Sequence, residues 1–437
     1  MKKFYILLLL GYIHSNIQTN VFAQSVINPT DPIVEYDPDS LPAEPLYGEI
    51  GKWVRTKSLS WNSDSYKAYI YEGSCFRLKF PKTYNPNFTD NKKYPLAIIF
   101  HGAGEAGPIT DNESDLYHGG LEYMNAVDNG TFNGYVLFMQ SQGTWGVTSY
   151  QKIIDIINYM VANNKLDPFR ISVNGLSAGG QAAWDMIINY PTYIASSLPM
   201  SNVSIGYKDS SVVNTVKFTR MWNFQGGLDG SPSPSTAQQV RDAILAAGGN
   251  YRYSEYADIG HNTWDNAFAE PDFFTFIDSA YSSNPWALFG RTGFCNGDTI
   301  NLTLGVAPGF DAYEWRKNNT VITGANTNTI QVTSLGIYDA RVLRDSVWSD
   351  WSHIPINIQI TQPTITPSII TTDSMSNVIV APDGKNYVNL EIPGNQFISY
   401  QWKKIGNDSI ICNQKIYTAT QAGQYIAAAV QQYGCSS

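Results

Sequence analysis

A serine lies between two glycines in the stretch SVNGLSAGGQAAWD, which covers residues 172 to 185. Gly175, Ser177 and Gly179 have the spacing G-x-S-x-G, after an apolar run and before a sequence typical of a helix. Small residues at the two outer positions allow a sharp strand-turn-helix connection that leaves the serine hydroxyl exposed. Glycine-rich turns with a structural serine have the same spacing, so two interpretations stay open: a nucleophile or a turn residue.

A serine hydroxyl needs a neighbouring base to act as a nucleophile, and on a sheet of this kind the chain order is serine, then acid, then histidine. Four of the five histidines lie before the serine or in the terminal parts of the chain: His14, His101, His118 and His353. His261, in the stretch ADIGHNTW after the last predicted α/β strand, is therefore the predicted base.

The acid that holds the histidine should follow the penultimate strand, because it must approach the imidazole from the carboxyl edge of the same sheet. Asp229, in NFQGGLDG, has this position. Asp209, on the loop after the preceding strand, is the alternative. Asp258 is too close to His261 in sequence to reach its far nitrogen easily, and Asp185 belongs to the predicted helix after the serine.

The oxyanion that forms when a serine attacks a carbonyl carbon needs backbone N–H donors. We predict one donor at Ala178, the residue after the serine, and the second at Ala103 in the loop HGAGEAG. The glycines of this loop let its backbone turn inward. An ordinary glycine-rich loop is the alternative.

Short apolar runs alternate with amphipathic stretches between about residues 66 and 281. Five runs rich in β-branched and aromatic residues predict buried strands: YPLAIIF, GYVLFMQ, RISVNGL, IASSLPM and TRMWNFQ. The apolar period from Ile153 to Val161 predicts one helix, and Ser235 as N-cap with Gly248 as left-handed C′ residue predicts another. The alternation indicates the α/β class, a mostly parallel sheet with helices on both faces.

Beyond about residue 285 the sequence has strand-like alternation, frequent turns and no helical period. Two runs, one near FDAYEWRKNN and one near FISYQWKKIG, share a Tyr-x-Trp start and a later Gly-x-Tyr strand. Trp315 and Trp402 are therefore predicted to be equivalent core residues of two all-β sandwich modules. We place these modules at residues 285–362 and 363–437, and expect the second to lack a last strand.

The N-terminus reads as a secretion signal, because two lysines precede an apolar stretch at residues 4–10 and small residues suit cleavage after Ala23. We expect a signal peptide at residues 1–23 and a secreted protein: extracellular, periplasmic or at the cell surface. A membrane anchor is the alternative, but the apolar run is shorter than the roughly 20 residues of a spanning helix, and no later segment supplies a membrane span.

The rest of the chain is divided by composition. The proline-rich residues 24–65 are predicted to be a linker and lead-in, and residues 66–284 the catalytic domain. Because the domain boundary near SSNPW interrupts the pattern, we expect truncation after Asn284 to expose little apolar surface and to leave a working catalytic domain.

The composition of the chain limits which substrates and binding partners the protein can have. The chain has 437 residues, 43% of them hydrophobic, and a net charge of −9, which disfavours nucleic acid and suits a neutral or apolar substrate. No metal-ligand spacing or cofactor motif is present, so we expect no metal and no cofactor, and a monomer. Of the cysteines at 75, 295, 412 and 435, only Cys412 and Cys435 are close enough in sequence to suggest a bridge within one module.

Four motifs together resemble a known family: HGAGE, GLSAGG followed by Trp184, GGLD and GHNTW. They are similar to those of the α/β-hydrolase esterases grouped with feruloyl and acetyl xylan esterases, polyhydroxybutyrate depolymerases and predicted prolyl-oligopeptidase-like peptidases. The resemblance covers about residues 66–281. It implies the α/β-hydrolase fold, with the serine, aspartate and histidine above as a triad and the two alanines as the oxyanion hole.

Ala178 departs from this family, in which many relatives carry Met or Gln. The backbone donor is unaffected, so only the shape of the pocket is in doubt. The tail separately resembles immunoglobulin-like modules of secreted Bacteroidetes-type proteins.

The segment between LPMSNV and the strand KFTRMWNFQ is too short for a cap domain, so we expect an open cleft. Trp145 and Trp264 are predicted to stack on a sugar or aromatic ring of the substrate, with core or loop packing as the equal alternative. Secretion, an open site and appended β modules favour a carbohydrate esterase that removes feruloyl or acetyl groups from plant polysaccharide, or cleaves a small ester.

Two other classes of function stay open. A prolyl-oligopeptidase-like serine peptidase or a polyester depolymerase would use the same acyl transfer to serine. A non-catalytic adhesin would use the fold only to bind glycan, although binding alone does not require serine, aspartate and histidine in this order.

Overall fold

The computed structural model describes residues 26–86, 90–295, 299–361, 367–372, 386–393 and 397–431. The predicted signal peptide with its cleavage site and Cys435 lie outside these residues. In the part of the chain that is described, no helix has the length and apolar character needed to cross a membrane.

One large sheet organises the chain before the tail. Its strands and two short neighbours run, in chain order, as β1 (Val34–Glu35), β2 (Ile50–Lys52), β3 (Val54–Arg55), β4 (Tyr66–Tyr71), β5 (Ser74–Lys79), β6 (Tyr94–Phe100), β7 (Tyr135–Met139), β8 (Leu166–Leu176), β9 (Ser196–Met200), β10 (Arg220–Gly226) and β11 (Tyr251–Tyr256). Nine of these form the sheet, in the spatial order β2-β4-β5-β7-β6-β8-β9-β10-β11, while β1 pairs with β3. Neighbours from β7 to β11 are parallel, and β2, β4, β5 and β7 pair antiparallel.

Helices connect the strands. They are α1 (Gly120–Asn129), α2 (Val147–Asn163), α3 (Ala178–Asn189), α4 (Ser210–Val216), α5 (Pro234–Ala246), α6 (Trp264–Phe268) and α7 (Phe273–Asp278).

Strand β6 explains why helices cover both faces of the sheet. Every residue of this strand is buried. Leu96 and Ile98 belong to a core that includes side chains of α2, α3 and α5, whereas Ala97 and Ile99 belong to a core that includes side chains of α1, α6 and α7. Successive side chains of a strand point to opposite faces, so a run that is apolar throughout must be covered twice. The expected class, a mostly parallel sheet with helices on both faces, is confirmed.

The predicted elements agree with the structure except at some ends. YPLAIIF coincides with β6, but the strand that contains RISVNGL begins earlier, at Leu166. The helix predicted from Ser235 is capped instead by Ser233, whose hydroxyl accepts from the Thr236 N–H at 3.3 Å. Pro234 explains the difference, because its fixed φ and missing N–H suit the first helical position.

Most of the segment predicted as a linker, residues 26–65 as the structure describes it, contributes to the folded unit. Ile50–Lys52 forms the edge strand β2 against β4, and the side chain of Ile27 is buried in the main core. Arg55 is buried beside Glu113. These residues are packed rather than forming a free linker, because apolar side chains on either side of the prolines, such as Ile27 and Ile50, reach the core.

In the residues that the structure describes, the tail is built of one 3-10 turn, at Leu288–Gly290, and of strands. They are β12 (Trp286–Ala287), β13 (Gly293–Phe294), β14 (Leu302–Gly305), β15 (Ala312–Lys317), β16 (Thr320–Val321), β17 (Thr329–Val332), β18 (Gly336–Arg344), β19 (Val347–Trp348), β20 (Ile356–Ile360), β21 (Ile370–Thr371), β22 (Val388–Glu391), β23 (Phe397–Lys404), β24 (Ile416–Ala419) and β25 (Tyr425–Gln431). Trp315 and Trp402 are fully buried, and each indole N–H donates at 2.8 Å to a backbone carbonyl oxygen, of Thr327 and Gln414 respectively. The two tryptophans therefore have matching environments. The immunoglobulin-like nature of the two modules stays a prediction.

The cysteines do not pair as the sequence suggested. Cys75 and Cys412 are free thiols, and Cys295 is disulfide-bonded. The prediction of a disulfide bridge between Cys412 and Cys435 is therefore wrong. Nearness in sequence does not decide which thiols the folded sheets bring together.

The first tail module packs closely against the α/β region, residues 66–284. Phe169, in β8, belongs to the core of that module, and its ring lies 6.4 Å from that of Phe310. Arg344, in β18, donates to the carbonyl oxygens of Pro168 and Thr192. The expectation that truncation after Asn284 exposes little apolar surface is wrong, because a side chain of the large sheet fills the core of the tail module.

We expect Phe169→Ala to lower the free energy of unfolding by about 3 to 5 kcal/mol, since it removes a buried ring shared by the two regions. Urea unfolding of the full chain measures this change. Tyr47→Ala is the control, because Tyr47 is 90% exposed, and such changes cost at most about 0.5 kcal/mol. Equal stability of the two variants would contradict the packing role of Phe169.

Candidate active site

Ser177 occupies the turn between β8 and α3 in a strained conformation, with φ 53° and ψ −116°. A residue other than glycine rarely adopts a positive φ, so neighbouring groups must hold Ser177 in this conformation. The backbone N–H of Ser177 donates to the carbonyl oxygen of Met200 at 2.9 Å, and the side chain of Asn202 donates to the carbonyl oxygen of Ser177 at 2.9 Å. These two bonds fix the turn to the end of β9.

The glycines on each side of Ser177 are required by close backbone packing. A Cβ atom at Gly175 would lie 2.1 Å from the carbonyl oxygen of Gly179. A Cβ atom at Gly179 would lie 2.0 Å from the carbonyl oxygen of Phe100, the last residue of β6. The start of α3 therefore touches the end of the neighbouring strand, and the G-x-S-x-G spacing has a steric cause.

The structure brings the three side chains predicted as a triad into one hydrogen-bonded chain. His261 Nε2 lies 2.8 Å from Ser177 Oγ, and His261 Nδ1 lies 2.8 Å from Asp229 Oδ2. The other oxygen of Asp229 accepts from the N–H of Ser231 at 2.8 Å. Because a carboxylate only accepts, Nδ1 carries the proton and Nε2 accepts the serine O–H. This arrangement prepares the serine for proton transfer to the imidazole.

The loops that carry the acid and the base also meet through glycine. A Cβ atom at Gly226, the last residue of β10, would lie 1.8 Å from the carbonyl oxygen of Gly260. The N–H of Leu228 donates to the carbonyl oxygen of Ile259 at 2.9 Å. Asp229 and His261 each follow directly after one of these contacts. The GG of the motif GGLD thus sets the distance between acid and base.

The alternative acid has a different role. Asp209 caps α4, where its carboxylate accepts from the N–H of Ser211 at 2.8 Å. In the described residues no group of three His, Cys, Asp or Glu side chains is arranged to hold a metal ion.

The two predicted oxyanion donors lie at the same edge of the sheet. Ala178 begins α3, where the first N–H groups have no acceptor within the helix. Ala103 begins a 3-10 turn at Ala103–Glu105, three residues after the end of β6. Phe100 pairs with Gly175 in the sheet, so the two alanines follow paired positions. Their role as donors stays a prediction.

The side chain of His101 anchors the loop around Ala103. Its Nδ1–H donates to the carbonyl oxygen of Gly102 at 2.6 Å, and its Nε2 accepts from the N–H of Ser141 at 2.9 Å. Burial lowers the pKa of His101, which keeps the ring neutral with this pair of bonds. The carbonyl oxygen of His101 accepts from Trp145 Nε1 at 3.1 Å.

The two tryptophans predicted to contact substrate have packing roles. Trp145 is half-buried, and its ring lies 4.8 Å from that of His101. Trp264 is buried in the core, with its ring 6.2 Å from His261 and 5.0 Å from His118. These contacts favour the packing alternative that the sequence left open. Contact with substrate stays a prediction for both.

Several polar residues near the triad were missed by the sequence analysis. Ser201 Oγ donates to the carbonyl oxygen of His261 and lies 2.7 Å from Thr263 Oγ1. Asn202 supports the serine turn, and His118 Nε2 lies 3.5 Å from a carboxylate oxygen of Glu105. One signal was available for Ser201 and Asn202, because they follow β9 at the carboxyl edge where the site lies.

Comparison with known proteins gives matches only among solved structures. No protein-family model matches the chain, and no curated protein matches it. A thermostable esterase is 23% identical with a TM-score of 0.45, and the match covers 50% of this chain and 64% of that one, under two thirds of its length. A ferulic acid esterase is 16% identical with a TM-score of 0.39, and the match covers 47% of this chain and 92% of that one.

An acetyl xylan esterase from Aspergillus awamori is 12% identical, with a TM-score of 0.35 and coverage of 46% of this chain and 94% of that one. Because these TM-scores and identities are low, we infer function from the side-chain geometry and the sequence.

We expect Gly179→Ala to destabilise the protein, because the added methyl group cannot fit 2.0 Å from the Phe100 carbonyl oxygen. Overpacking of this kind costs roughly 1 to 3 kcal/mol or more in free energy of unfolding. Gly143→Ala is the matched control, since a Cβ atom at that position would have no neighbouring atom within 4 Å. Urea unfolding compares the two. A Gly179→Ala protein as stable as the control would refute the steric argument.

The buried carboxyl group of Asp115 predicts how the stability of the protein depends on pH. This group is fully buried 3.9 Å from His101 Nε2, and burial raises the pKa of Asp115 well above its usual range. The folded protein therefore keeps this proton at pH values where the unfolded chain, with a carboxyl pKa of about 4, loses it. With respect to Asp115, the free energy of unfolding is therefore highest at acidic pH. It falls by up to about 1.4 kcal/mol per pH unit as the pH rises above about 4.

We expect Asp115→Asn to gain stability relative to the natural protein as the pH rises from about 4 to 7. Denaturant unfolding at several pH values tests this. Asp242→Asn, at an exposed position on α5, is the control and should give no such trend. A stability difference that stays constant with pH would show that Asp115 is ionised in the folded protein.

Proposed function

We propose that this protein is a secreted serine carboxylic-ester hydrolase that removes feruloyl or acetyl groups from plant polysaccharide. The observation that carries the proposal is the relay from Ser177 Oγ through His261 to Asp229, with 2.8 Å at each step. A binding protein has no need of a nucleophile, a base and a buried acid in this geometry, so the relay argues against a non-catalytic adhesin.

The reaction follows from these positions. Ser177 Oγ attacks the ester carbonyl carbon while its proton passes to His261 Nε2. The N–H groups of Ala103 and Ala178 would stabilise the oxyanion. The intermediate then expels the alcohol, which takes the proton from Nε2, and leaves an acyl-enzyme.

Water completes the cycle. His261 Nε2 takes a proton from water as its oxygen attacks the acyl carbon, and the acid leaves as Ser177 regains its proton. Asp229, whose side chain is 2% exposed, stabilises the imidazolium in both halves of the reaction.

The surroundings support a bulky, partly apolar substrate. The chain between β9 and β10 holds only a 3-10 turn and α4, and the His261 side chain is 38% exposed, so the site is open to a polymer. Tyr117 and Leu228, the chain neighbours of His118 and Asp229, are exposed apolar side chains. Such side chains suit an aromatic acyl group better than a charged one.

We expect Ser177→Ala or His261→Ala to lower kcat on p-nitrophenyl acetate by roughly 10⁴-fold or more, and Asp229→Ala to cost somewhat less. Ser235→Ala and Asp209→Asn are controls with the same chemistry outside the relay, and should keep the natural rate. Initial-rate kinetics decide between these outcomes. A Ser177→Ala enzyme with near-natural activity would overturn the proposal.

A fluorophosphonate should label Ser177 covalently, and the label should be lost in the Ser177→Ala protein. Mass spectrometry of the labelled peptide identifies the serine. Labelling of another serine would place the nucleophile elsewhere.

Substrate class is tested by comparing rates on acetylated xylan, feruloylated arabinoxylan, an aliphatic polyester and peptide anilides. We expect the two polysaccharide esters to be cleaved faster than the others. Faster cleavage of the anilides would favour a peptidase, and faster cleavage of the polyester a depolymerase.

A further inference from the structure

A concave site lies at the opposite edge of the large sheet from Ser177, where the strands begin. Arg220 and Tyr251, at the starts of β10 and β11, line it from one side. Trp286 and Phe289, in the segment that enters the tail, line it from another, and Ile356 of β20 completes the wall. The cleft has a volume of about 730 Å³, within the range of ligand sites, and such sites favour boundaries between domains.

Two arginines line the cleft, Arg220 and Arg252, and Arg252 is paired with Asp272 at 3.1 Å. The guanidinium of Arg220 lies 4.1 Å from the Phe276 ring centre and donates to Ser279 Oγ at 2.8 Å. In the described part of the chain no carboxylate lies within ion-pair distance of it. Burial lowers the pKa of Arg220, and the charge of Arg252, which also lines the cleft, lowers it further. Because Arg252 has its own carboxylate partner, Arg220 is the partly buried cation of the cleft that is left without an acid, and such a cation is a favourable place for an anion.

An exposed aromatic ring is held at the mouth of the same cleft under backbone strain. Phe289 has φ 64° and ψ 10°, and is 71% exposed. Its N–H donates to the carbonyl oxygen of Gly248 at 3.0 Å, which also accepts from Trp286 Nε1 at 2.8 Å. A bulky residue in the left-handed region is costly, and the ring gains little from burial. The strain is therefore not explained by packing, which points to a role for the ring in binding.

The guanidinium of Arg220 and the exposed ring of Phe289 together indicate the chemical class of ligand that the cleft can bind. A guanidinium pairs well with a planar carboxylate, and flat aromatic faces pack on the apolar faces of sugar rings. Polar lining residues such as Thr219 and Asn250 suit hydroxyl groups better than an acyl chain.

We propose that this cleft binds an acidic segment of a polysaccharide, with a uronic-acid carboxylate on Arg220 and the sugar ring against Phe289 and Trp286. The site is separate from the relay at Ser177, because it lies at the other edge of the sheet. It would hold the polymer through its charged sugars while the ester is cleaved elsewhere. Binding at this cleft goes beyond the proposed ester hydrolysis and does not depend on it, whereas its use in holding a polymer for cleavage rests on the proposed function.

Isothermal titration of the full chain with tetragalacturonate, neutral xylotetraose and inorganic phosphate tests the proposal. We expect tetragalacturonate to bind at least about tenfold more tightly than either of the others, a difference of about 1.4 kcal/mol. No binding of tetragalacturonate would overturn the proposal. Equal binding of xylotetraose would exclude the role of the carboxylate, and equal binding of phosphate would leave only a general anion site.

Two variants locate the site. Arg220→Gln should weaken tetragalacturonate binding by about tenfold or more, because a charged hydrogen bond is lost. Phe289→Gly should weaken it by about tenfold while Tm stays equal or rises, because glycine adopts φ 64° without strain. This second variant keeps the test valid if Arg220→Gln folds poorly. Arg241→Gln, which removes an exposed arginine of α5 paired with Asp242, is the control and should bind as the natural protein does.

Natural affinity in both cleft variants would refute this site. Their rates on p-nitrophenyl acetate should equal that of the natural protein, since the relay is untouched. Loss of that activity in step with loss of binding would also refute a separate site. Failure of the hydrolase proposal would instead appear as natural esterase rates in Ser177→Ala, with tetragalacturonate binding unchanged.

Discussion

The close contact between the start of α3 and the carbonyl oxygen of Phe100 is the constraint on which the site depends. It leaves no room for a side chain at Gly179 and holds Ser177 at a positive φ. It also brings the end of β6 to the helix N-terminus, so that Ala103 and Ala178 follow paired strand positions. One backbone contact therefore sets the place of the serine and of both predicted oxyanion donors.

Close backbone packing at a glycine also occurs at the other end of the relay, near Asp229 and His261. Gly226 touches the carbonyl oxygen of Gly260, and a Cβ atom at Gly227 would lie 2.6 Å from the carbonyl oxygen of Ala257. The loops of Asp229 and His261 are thus joined by backbone packing. Short loops held in this way need no lid to align the relay, which agrees with a His261 side chain that is 38% exposed.

The tail adds both stability and surface. Phe169 fills the core of the first module, and Arg344 donates to two carbonyl oxygens of the α/β region. The cleft around Arg220 and Phe289 lies between the same two regions, and its walls come from both. Catalysis and polymer binding would then occupy opposite edges of one sheet at a fixed separation.

The sequence by itself determined the buried strands, the strand-turn-helix at Ser177 and the order of Ser177, Asp229 and His261, because apolar period, glycine spacing and chain order are local properties. The five predicted strands correspond to β6 through β10. The histidine was found by elimination, since the other histidines lie before the serine or outside the alternating region.

Only the tertiary structure decided which distant residues meet. The free thiol of Cys412, the burial of Trp264 against His118, the place of Phe169 in the core of the tail and the edge strand Ile50–Lys52 all depend on long-range packing. A pattern of period two or 3.6 specifies which side of an element is apolar, but not which partner covers it. For this reason the relay was predictable from the sequence, whereas its supporting contacts and the second cleft were not.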